Sequence, residues 1–271
     1  MILGYRKSDL DESGIKIPVT VTLPKKTSNI LIAGKSGSGK SLSSRWYLWQ
    51  MLYNHESLVF ISDYKAGEEY EELEGSPAYA SGADAIQMID DFHSFFTEVR
   101  KKRLRLQNHY TLFVEEWFGL LTYAETQSKK LKSDLLAKIG ELLAVSRGLN
   151  LGVILAVQRA DASLFNSGSR EQFQCVCSFG RTSAEQFRML GFSGESEENP
   201  TSNYTSGQAL VLIDGQEGVC SVQVPLITNT LEMCKDMRRC LDNQPDIHSL
   251  IRAAAEGRST VQRRDVSGKG W

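Results

Sequence analysis

Short apolar runs alternate along the chain with longer stretches in which apolar residues recur at helical spacing. Each run is rich in apolar and β-branched residues and is followed by polar or glycine-rich segments, which is typical of a buried strand. The runs are NILIA, SLVFIS, TLFV, LGVILAV and FQCVCSF. Helical spacing occupies residues 41–53, 84–108 and 133–148, and the last of these begins at Ser133, a residue type that caps helices.

Strands that alternate with helices predict right-handed crossovers and a mainly parallel β-sheet with helices on both faces. The segment IPVTVTL (17–23) predicts a further strand before the first apolar run. Near the other end, GQALVLIDG and VCSVQVPL predict a closing β-hairpin. The sequence therefore predicts an α/β protein whose ligands bind at the carboxyl ends of the parallel strands.

Changes in composition divide the chain into segments. Residues 192–207 are polar and rich in turn-forming residues, which predicts an exposed, mobile loop within the main domain. Residues 256–271 contain few apolar residues and several basic ones, which predicts a disordered tail. We therefore expect an N-terminal extension (1–14), a main α/β domain (15–228), a helical segment (229–255) and a basic tail (256–271).

A glycine-rich loop follows the first apolar run. Gly34 and Gly39-Lys40-Ser41 have the spacing of the P-loop, G-x-x-x-x-G-K-[ST], whose backbone N–H groups bind phosphate. A Gly/Ser linker could match this pattern by chance, but a linker is not usually preceded by a buried strand and followed by an amphipathic helix. We expect Lys40 to contact the β- and γ-phosphates of a nucleotide and Ser41 to ligate Mg²⁺. The predicted nucleotide-binding residues are Gly34, Lys35, Ser36, Gly37, Ser38, Gly39, Lys40, Ser41 and Leu42.

Two acidic residues end the run TLFVEE, and a glutamine ends LGVILAVQ. Nucleotide hydrolysis needs a carboxylate near the metal and a group that orients the attacking water. We expect Glu115 to associate with Mg²⁺ and Glu116 to act as the general base. The amide of Gln158 is placed to sense the γ-phosphate. The alternative interpretation is that the two glutamates are ordinary surface residues at a strand end. The P-loop earlier in the chain disfavours this interpretation.

Composition narrows the class of protein. The residues are 41% hydrophobic and 24% charged, which is ordinary for a soluble globular protein, and the apolar runs are too short to span a bilayer. The five cysteines have no C-x-x-C spacing, which favours reduced thiols in a cytoplasmic protein. A net charge of −2 does not indicate nucleic-acid binding by itself. Positive charge is concentrated locally in RKKRLR (100–105), a pattern that more often marks a solvated helix face.

The order of the motifs resembles the motor domain of the FtsK/SpoIIIE and HerA group of DNA-translocating ATPases. Within that group the chain is most similar to the coupling ATPases of Gram-positive conjugative elements. The order is GKSGSGKS, SDYKAGEEYEEL, LFVEEW, SRGLNLGVILAVQR and FGRTSAEQFRMLG. Asp63 and Lys65 match the D-x-K signature of the family, and Ala156 to Arg159 match its A-T-Q-R segment with valine in place of threonine. The resemblance covers about residues 15 to 228.

The resemblance implies a RecA-like P-loop domain that binds ATP and Mg²⁺ and hydrolyses ATP on DNA. It also implies a homo-hexameric ring that contacts the DNA backbone without sequence preference. Membrane-anchored transfer proteins or a relaxase are the expected partners, and the chain itself would be cytoplasmic, with the membrane reached through a partner. The chain departs from the family where Glu115-Glu116 replaces the usual Asp-Glu.

Ring ATPases commonly insert an arginine into the site of the neighbouring subunit, because the transferring phosphoryl group carries charge that must be neutralised. Arg181 and Arg188, in FGRTSAEQFRMLG, are the two candidates. Arg181 follows Gly180 at a strand end, and Arg188 aligns with the arginine of the family's Asp-Ser-Arg signature. Each arginine could instead make only local contacts.

Three functions are compatible with these motifs. The first is an ATP-driven DNA translocase that acts in conjugation, segregation or packaging. The second is an ATP-binding adaptor that hydrolyses little and recruits DNA or a relaxase to a transfer apparatus. The third, a P-loop kinase, is disfavoured, because Gln158 and the two glutamates suit attack by water. DNA-stimulated ATP hydrolysis distinguishes the first function from the other two.

Overall fold

The computed structural model describes residues 1–24, 26–166, 168–192 and 201–259. These residues form one ten-stranded sheet with the order β2-β1-β10-β9-β8-β3-β7-β6-β4-β5. The strands are β1 (Ile2–Arg6), β2 (Pro18–Thr20), β3 (Ile30–Gly34), β4 (Leu58–Asp63), β5 (Tyr79–Ser81), β6 (Tyr110–Glu115), β7 (Leu151–Val157), β8 (Cys175–Phe179), β9 (Gln208–Ile213) and β10 (Val219–Gln223). The helices are α1 (Lys7–Ser13), α2 (Lys40–Tyr53), α3 (Ala85–Lys101), α4 (Trp117–Gln127), α5 (Lys129–Val145), α6 (Ala184–Met189), α7 (Thr230–Asn243) and α8 (Ile247–Ala255).

The sheet has a parallel part and an antiparallel part. Strands β8, β3, β7, β6, β4 and β5 run parallel to their neighbours, so their carboxyl ends share one edge. Strands β9, β10, β1 and β2 continue the sheet in antiparallel pairings, with β9 and β10 as a hairpin. The α/β fold class and the closing hairpin predicted from the sequence are thereby confirmed.

The central strands are covered on both faces. Every residue of β3, β4, β6, β7 and β8 is buried, which explains why these strands have continuous apolar runs rather than alternation. The helices pack around the sheet in pairs, α2 with α7, α3 with α8 and α4 with α5. None of the helices in the described part of the chain combines the length and apolar character that a membrane span requires.

The start of α5 corrects one sequence prediction. The helix begins at Lys129, and the Oγ of Ser128 accepts a hydrogen bond from the N–H of Leu131 at 3.1 Å. Ser133 lies inside the helix, so its assignment as the capping residue was wrong. Ser128 has an extended backbone (φ −167°, ψ 148°) that suits a capping residue, whereas Ser133 follows four residues that are already helical.

The basic run also differs from the prediction. Helix α3 ends at Lys101, and Arg103 has a left-handed backbone with φ 52°, so the helix does not continue to residue 108. The side chain of Arg100 forms an ion pair with Glu141 of α5 at 2.5 Å. Arg100 is therefore paired with a neighbouring helix, while its side chain stays about half exposed, as on a solvated helix face.

The predicted loop at 192–207 is only partly described, because residues 193–200 lie outside the described ranges. At the described end of this loop, Ser202, Asn203, Thr205 and Ser206 are exposed, as predicted, whereas two other residues are buried. Thr201 is fully buried, and its Oγ1 accepts a hydrogen bond from the N–H of Thr182 at 2.9 Å. Tyr204 is also buried. Of the predicted basic tail (256–271), residues 256–259 are described and residues 260–271 lie outside the described ranges.

The division of the chain into segments stays a prediction, although some of its elements can be located. Strand β1, within residues 1–14, pairs with β10 and brings Tyr5 opposite Gln223. Helices α7 and α8 lie within residues 229–255. The sheet thus includes residues from both sides of the boundary placed at residue 14.

Candidate nucleotide site

The P-loop connects β3 to α2 at the carboxyl edge of the sheet. Gly37 and Gly39 have left-handed backbones, with φ 79° and 87°, which residues with a Cβ rarely adopt. These conformations turn the chain sharply, so that α2 begins at Lys40 immediately after the loop. The N–H groups at the start of α2 therefore lie next to the loop, where they can bind an anion.

Two close contacts fix the position of the loop. A Cβ on Gly34 would lie 2.6 Å from the Oγ of Ser38, so only glycine allows the loop to fold back on the strand. A Cβ on Gly39 would lie 2.6 Å from the backbone nitrogen of Gly207, whose N–H donates to the carbonyl of Ser38 at 2.9 Å. The P-loop therefore packs directly against the residues that precede β9.

Lys40, Ser41 and Glu115 form the centre of the site. The Nζ of Lys40 lies 2.8 Å from Oε1 of Glu115, and the Oγ of Ser41 donates to the same oxygen at 3.1 Å. The side chains of Lys40 and Glu115 are only 6% and 1% exposed. Since an isolated charge is costly to bury, each of these two side chains offsets part of the cost of burying the other.

The donors present fit Mg²⁺. The Oε2 of Glu115 is buried and has no hydrogen-bond partner among the described residues, so one carboxylate oxygen remains available. A carboxylate and a hydroxyl are the hard oxygen ligands that Mg²⁺ prefers, and phosphates and water complete its coordination in nucleotide sites. The described residues contain no cluster of three or more His, Cys, Asp or Glu that could hold a metal alone. Ser41 and Glu115 would therefore hold the ion together with the nucleotide.

A second buried carboxyl group lies beside Glu115. Asp63 of β4 pairs in register with Glu115 of β6, and its Oδ2 accepts a hydrogen bond from the hydroxyl of Tyr79 at 2.9 Å. Burial raises the pKa of Asp63 to about 6, the bond from Tyr79 opposes this shift, and the charge of Glu115 adds to it. The acidic character of the site thus extends behind Glu115 to the next strand.

Glu116 and Gln158 form a second polar pair. The Nε2 of Gln158 donates to Oε1 of Glu116 at 3.0 Å, and both side chains are accessible to solvent. Glu116 has a left-handed backbone (φ 57°, ψ 49°) between β6 and α4, a conformation that is uncommon for a residue with a side chain. The next residue, Trp117, is fully buried and donates its Nε1–H to the carbonyl of Leu164 at 2.9 Å. This anchor holds the strained turn that directs Glu116 away from the core.

These groups line one cleft of about 470 Å³. Its lining residues are Lys35, Ser36, Gly37, Gly39, Lys40, Ser41, Leu42, Arg45, Lys65, Glu69, Glu116, Gln158 and Ser206. Gly34, Ser38 and Glu115 lie behind this surface as buried residues. The structure thus brings the P-loop, Glu116 and Gln158 together, as the motifs indicated.

Four cleft residues were not among the predicted site residues, namely Arg45, Lys65, Glu69 and Ser206. The D-x-K signature could have identified Lys65 as a residue of the cleft. Arg45 lies one turn along α2 from Ser41, so helix periodicity alone would have placed it near the loop. Ser206 carried no signal, because it comes from a segment far from the P-loop in sequence.

No model of a known protein family matches the sequence, and comparison with curated proteins finds no match either. Solved structures do match. The pCW3 conjugation coupling protein TcpA, in its monomer form with ATPγS, has 17% identity and a TM-score of 0.58 over 82% of this chain and 67% of TcpA. The cytoplasmic domain of the Type VII secretion ATPase EccC from Thermomonospora curvata has 16% identity and a TM-score of 0.64 over 92% of this chain. ATPases 2 and 3 of EssC from Geobacillus thermodenitrificans have 14% identity and a TM-score of 0.61 over 89%.

The chain has the fold of a P-loop ATPase. It spans 32% of the EccC structure and 48% of the EssC structure, so it corresponds to a part of those longer chains. A conjugation coupling protein is among the structural neighbours. The family resemblance inferred from the motifs is therefore confirmed at the level of the fold.

The two candidate arginines of this P-loop ATPase fold lie outside the cleft. Arg181 is exposed just beyond β8, the strand next to the P-loop strand, and follows Gly180 with its left-handed backbone (φ 70°). Arg188 is exposed on α6 and lines a separate cavity of about 350 Å³. Within one subunit neither arginine lines the nucleotide cleft, so their action in trans stays a prediction.

Proposed function

We propose that the chain is an ATP-dependent DNA translocase, a coupling ATPase that moves DNA through an oligomeric ring. The observation that carries the ATP-hydrolysis part of the proposal is the hydrogen bond of 3.0 Å between Gln158 and Glu116, in the same cleft as the P-loop. A carboxylate held in this way is suited to accept a proton from water. A kinase would instead need a place for a second substrate that carries a hydroxyl group.

The proposed hydrolysis step gives each of these groups a role. Water bound near Glu116 attacks the γ-phosphorus, and Glu116 accepts the proton that the water loses. The bond from this phosphorus to the bridging oxygen breaks, so ADP leaves with the electron pair and inorganic phosphate is released. The side chain of Lys40 moves away from Glu115 and contacts the β- and γ-phosphates. Mg²⁺ held by Ser41 and Glu115 would neutralise charge on the phosphate oxygens.

The proposed substrate is DNA, and the proposed assembly is a ring. The fold is shared with a conjugation coupling protein and with secretion ATPases. We favour DNA because the motif order resembles DNA-translocating ATPases. In this proposal a homo-hexamer contacts the phosphate backbone without sequence preference, so binding weakens with salt. Membrane-anchored transfer proteins or a relaxase would be the partners.

One experiment tests the function. ATP hydrolysis is measured without DNA, with single-stranded DNA and with double-stranded DNA, at two salt concentrations, together with the mass of each complex. We expect DNA to stimulate turnover and to bind a hexamer. Lys40→Ala serves as the control that lacks the main phosphate contact and should neither bind ATP tightly nor hydrolyse it. ATP binding with slow turnover that DNA does not change would support the adaptor instead.

A further inference from the structure

Lys65 is a cation of the nucleotide cleft that the hydrolysis step above does not use. It follows β4 and lines the cleft together with Lys40, Glu116 and Gln158. Its side chain is 46% exposed, and its ammonium group forms an ion pair with Glu69, four residues further on. The hydrogen bond to Glu69 raises the pKa of Lys65, so the side chain stays charged at neutral pH.

The backbone around this ion pair is shaped to hold it. The N–H of Lys65 donates to Oδ1 of Asp63 at 3.0 Å, which fixes the turn after β4. A Cβ on Gly67 would lie 2.2 Å from Oε2 of Glu69 and 3.3 Å from Cε of Lys65. The guanidinium of Arg45 donates to the backbone carbonyl of Glu69 at 3.0 Å. Glycine at position 67 therefore leaves room for the two side chains to meet.

The ion pair can exchange its partner. Exposed pairs of this kind contribute little to stability, so the ammonium group of Lys65 can move away from Glu69 at low cost. A nucleoside triphosphate carries several negative charges on adjacent phosphates, whereas Glu69 carries one. A phosphate chain bound at the P-loop thus competes well for a lysine in the same cleft.

We propose that Lys65 is a second phosphate-binding cation. When ATP binds, the side chain of Lys65 moves away from Glu69 and contacts the γ-phosphate of the ATP in the same subunit. The inference rests on the proposed function, ATP hydrolysis at this P-loop. As the bond between the γ-phosphorus and the bridging oxygen breaks, negative charge on the departing phosphate group is neutralised by Lys65. Glu69 holds the side chain in position when no triphosphate is bound.

Binding measurements test the contact without requiring hydrolysis. We expect Lys65→Ala to weaken ATPγS binding by about 10-fold while ADP binding stays unchanged, because only the γ-phosphate loses a contact. Glu69→Gln should strengthen ATPγS binding by about 2- to 5-fold, because the competing carboxylate is removed. Lys132→Ala removes a comparable lysine, paired with Glu125 at 2.7 Å outside the cleft, and should change neither. Equal loss of ATPγS and ADP binding in Lys65→Ala would overturn the proposal.

A mixing experiment separates action within a subunit from action between subunits. Lys65→Ala should lower kcat by about 10²-fold, as the loss of a charge-stabilising group does. Lys65→Ala subunits keep an intact P-loop, and Lys40→Ala subunits keep an intact Lys65. Mixing the two should not restore turnover if Lys65 serves its own subunit. Restored turnover would mean that Lys65 acts in the neighbour's site and would overturn the proposal. If the wild-type protein did not hydrolyse ATP, the proposed function would be refuted. The ATPγS and ADP binding measurements would still decide whether Lys65 contacts the γ-phosphate.

Discussion

Lys40 and Glu115 show what single residues contribute to this site. Sequence spacing was sufficient to select both residues, Lys40 from the P-loop pattern and Glu115 from its place at the end of a buried strand. It could not predict the 2.8 Å ion pair between them, because that contact depends on how α2 and β6 meet in space. The pair means that phosphate binding must break an existing buried interaction, so part of the binding free energy is spent on separating these charges.

Glu116 is the residue whose chemical role can be tested most directly. Glu116→Gln keeps the size of the side chain and an oxygen that can accept the hydrogen bond from Gln158, but it cannot accept a proton from water. We expect ATP to bind with unchanged affinity while turnover falls by ~10²-fold or more. Equilibrium binding of ATPγS and steady-state ATP hydrolysis measure the two quantities separately.

The same measurements on Glu115→Gln provide the comparison. If that variant loses turnover with normal ATP binding and Glu116→Gln does not, the roles assigned to the two carboxylates are reversed. Glu115→Gln also leaves Lys40 without its charged partner, so its melting temperature must be recorded with the kinetics. Glu116 is partly exposed and pairs with a neutral amide, so no such loss of stability is expected for Glu116→Gln.

At the scale of elements, the buried parallel strands were the most predictable part of the fold. Their continuous apolar runs leave no alternative to burial on both faces. Strand β1 was not predicted, because its five residues include Gly4 and Arg6 and it is defined by pairing with β10, which lies far away in sequence. Helix α4 was missed for another reason, since it begins directly after the strained Glu116 and has no side-chain cap to mark its start.

The start of α5 gives a prediction about local stability. Ser128→Ala removes the oxygen that accepts the N–H of Leu131, so we expect the free energy of unfolding to fall by about 1 kcal/mol. Ser133→Ala, at a position inside the same helix, should cause no loss, because alanine has the higher helix propensity. Urea denaturation followed by circular dichroism measures both variants. Equal destabilisation by the two substitutions would contradict the assignment of Ser128 as the cap.

At the scale of the whole molecule, the nucleotide cleft opens at the carboxyl edge of the sheet, and Arg181 is exposed one strand away from the P-loop strand. The side chain of Arg181 has no hydrogen bond or ion pair to any residue in the described ranges. Arg159, by contrast, is paired with Asp161 and Glu185. A guanidinium without a partner among the described residues is better placed to reach a neighbouring site than one that is already paired.

If Arg181 acts in the site of a neighbouring subunit, two inactive variants should restore ATP hydrolysis when they are mixed. Arg181→Ala should bind ATP normally and yet hydrolyse little on its own, because its own P-loop is intact and its neighbour's site lacks the arginine. Mixed with Lys40→Ala subunits it should regain part of its turnover, because each intact P-loop can then meet an intact arginine. The ATPase rate across a series of mixing ratios measures this. Full activity of Arg181→Ala alone would transfer the assignment to Arg188.

The contact between the P-loop and the residues before β9 has a consequence for amide hydrogen exchange. The N–H of Gly207 is bonded to the carbonyl of Ser38, and no side chain separates the two segments, since both Gly39 and Gly207 lack one. The amide hydrogen of Gly207 can therefore exchange with deuterium only when the two segments move apart. Its exchange rate reports the separation of the P-loop from the residues before β9, without any label attached to the protein.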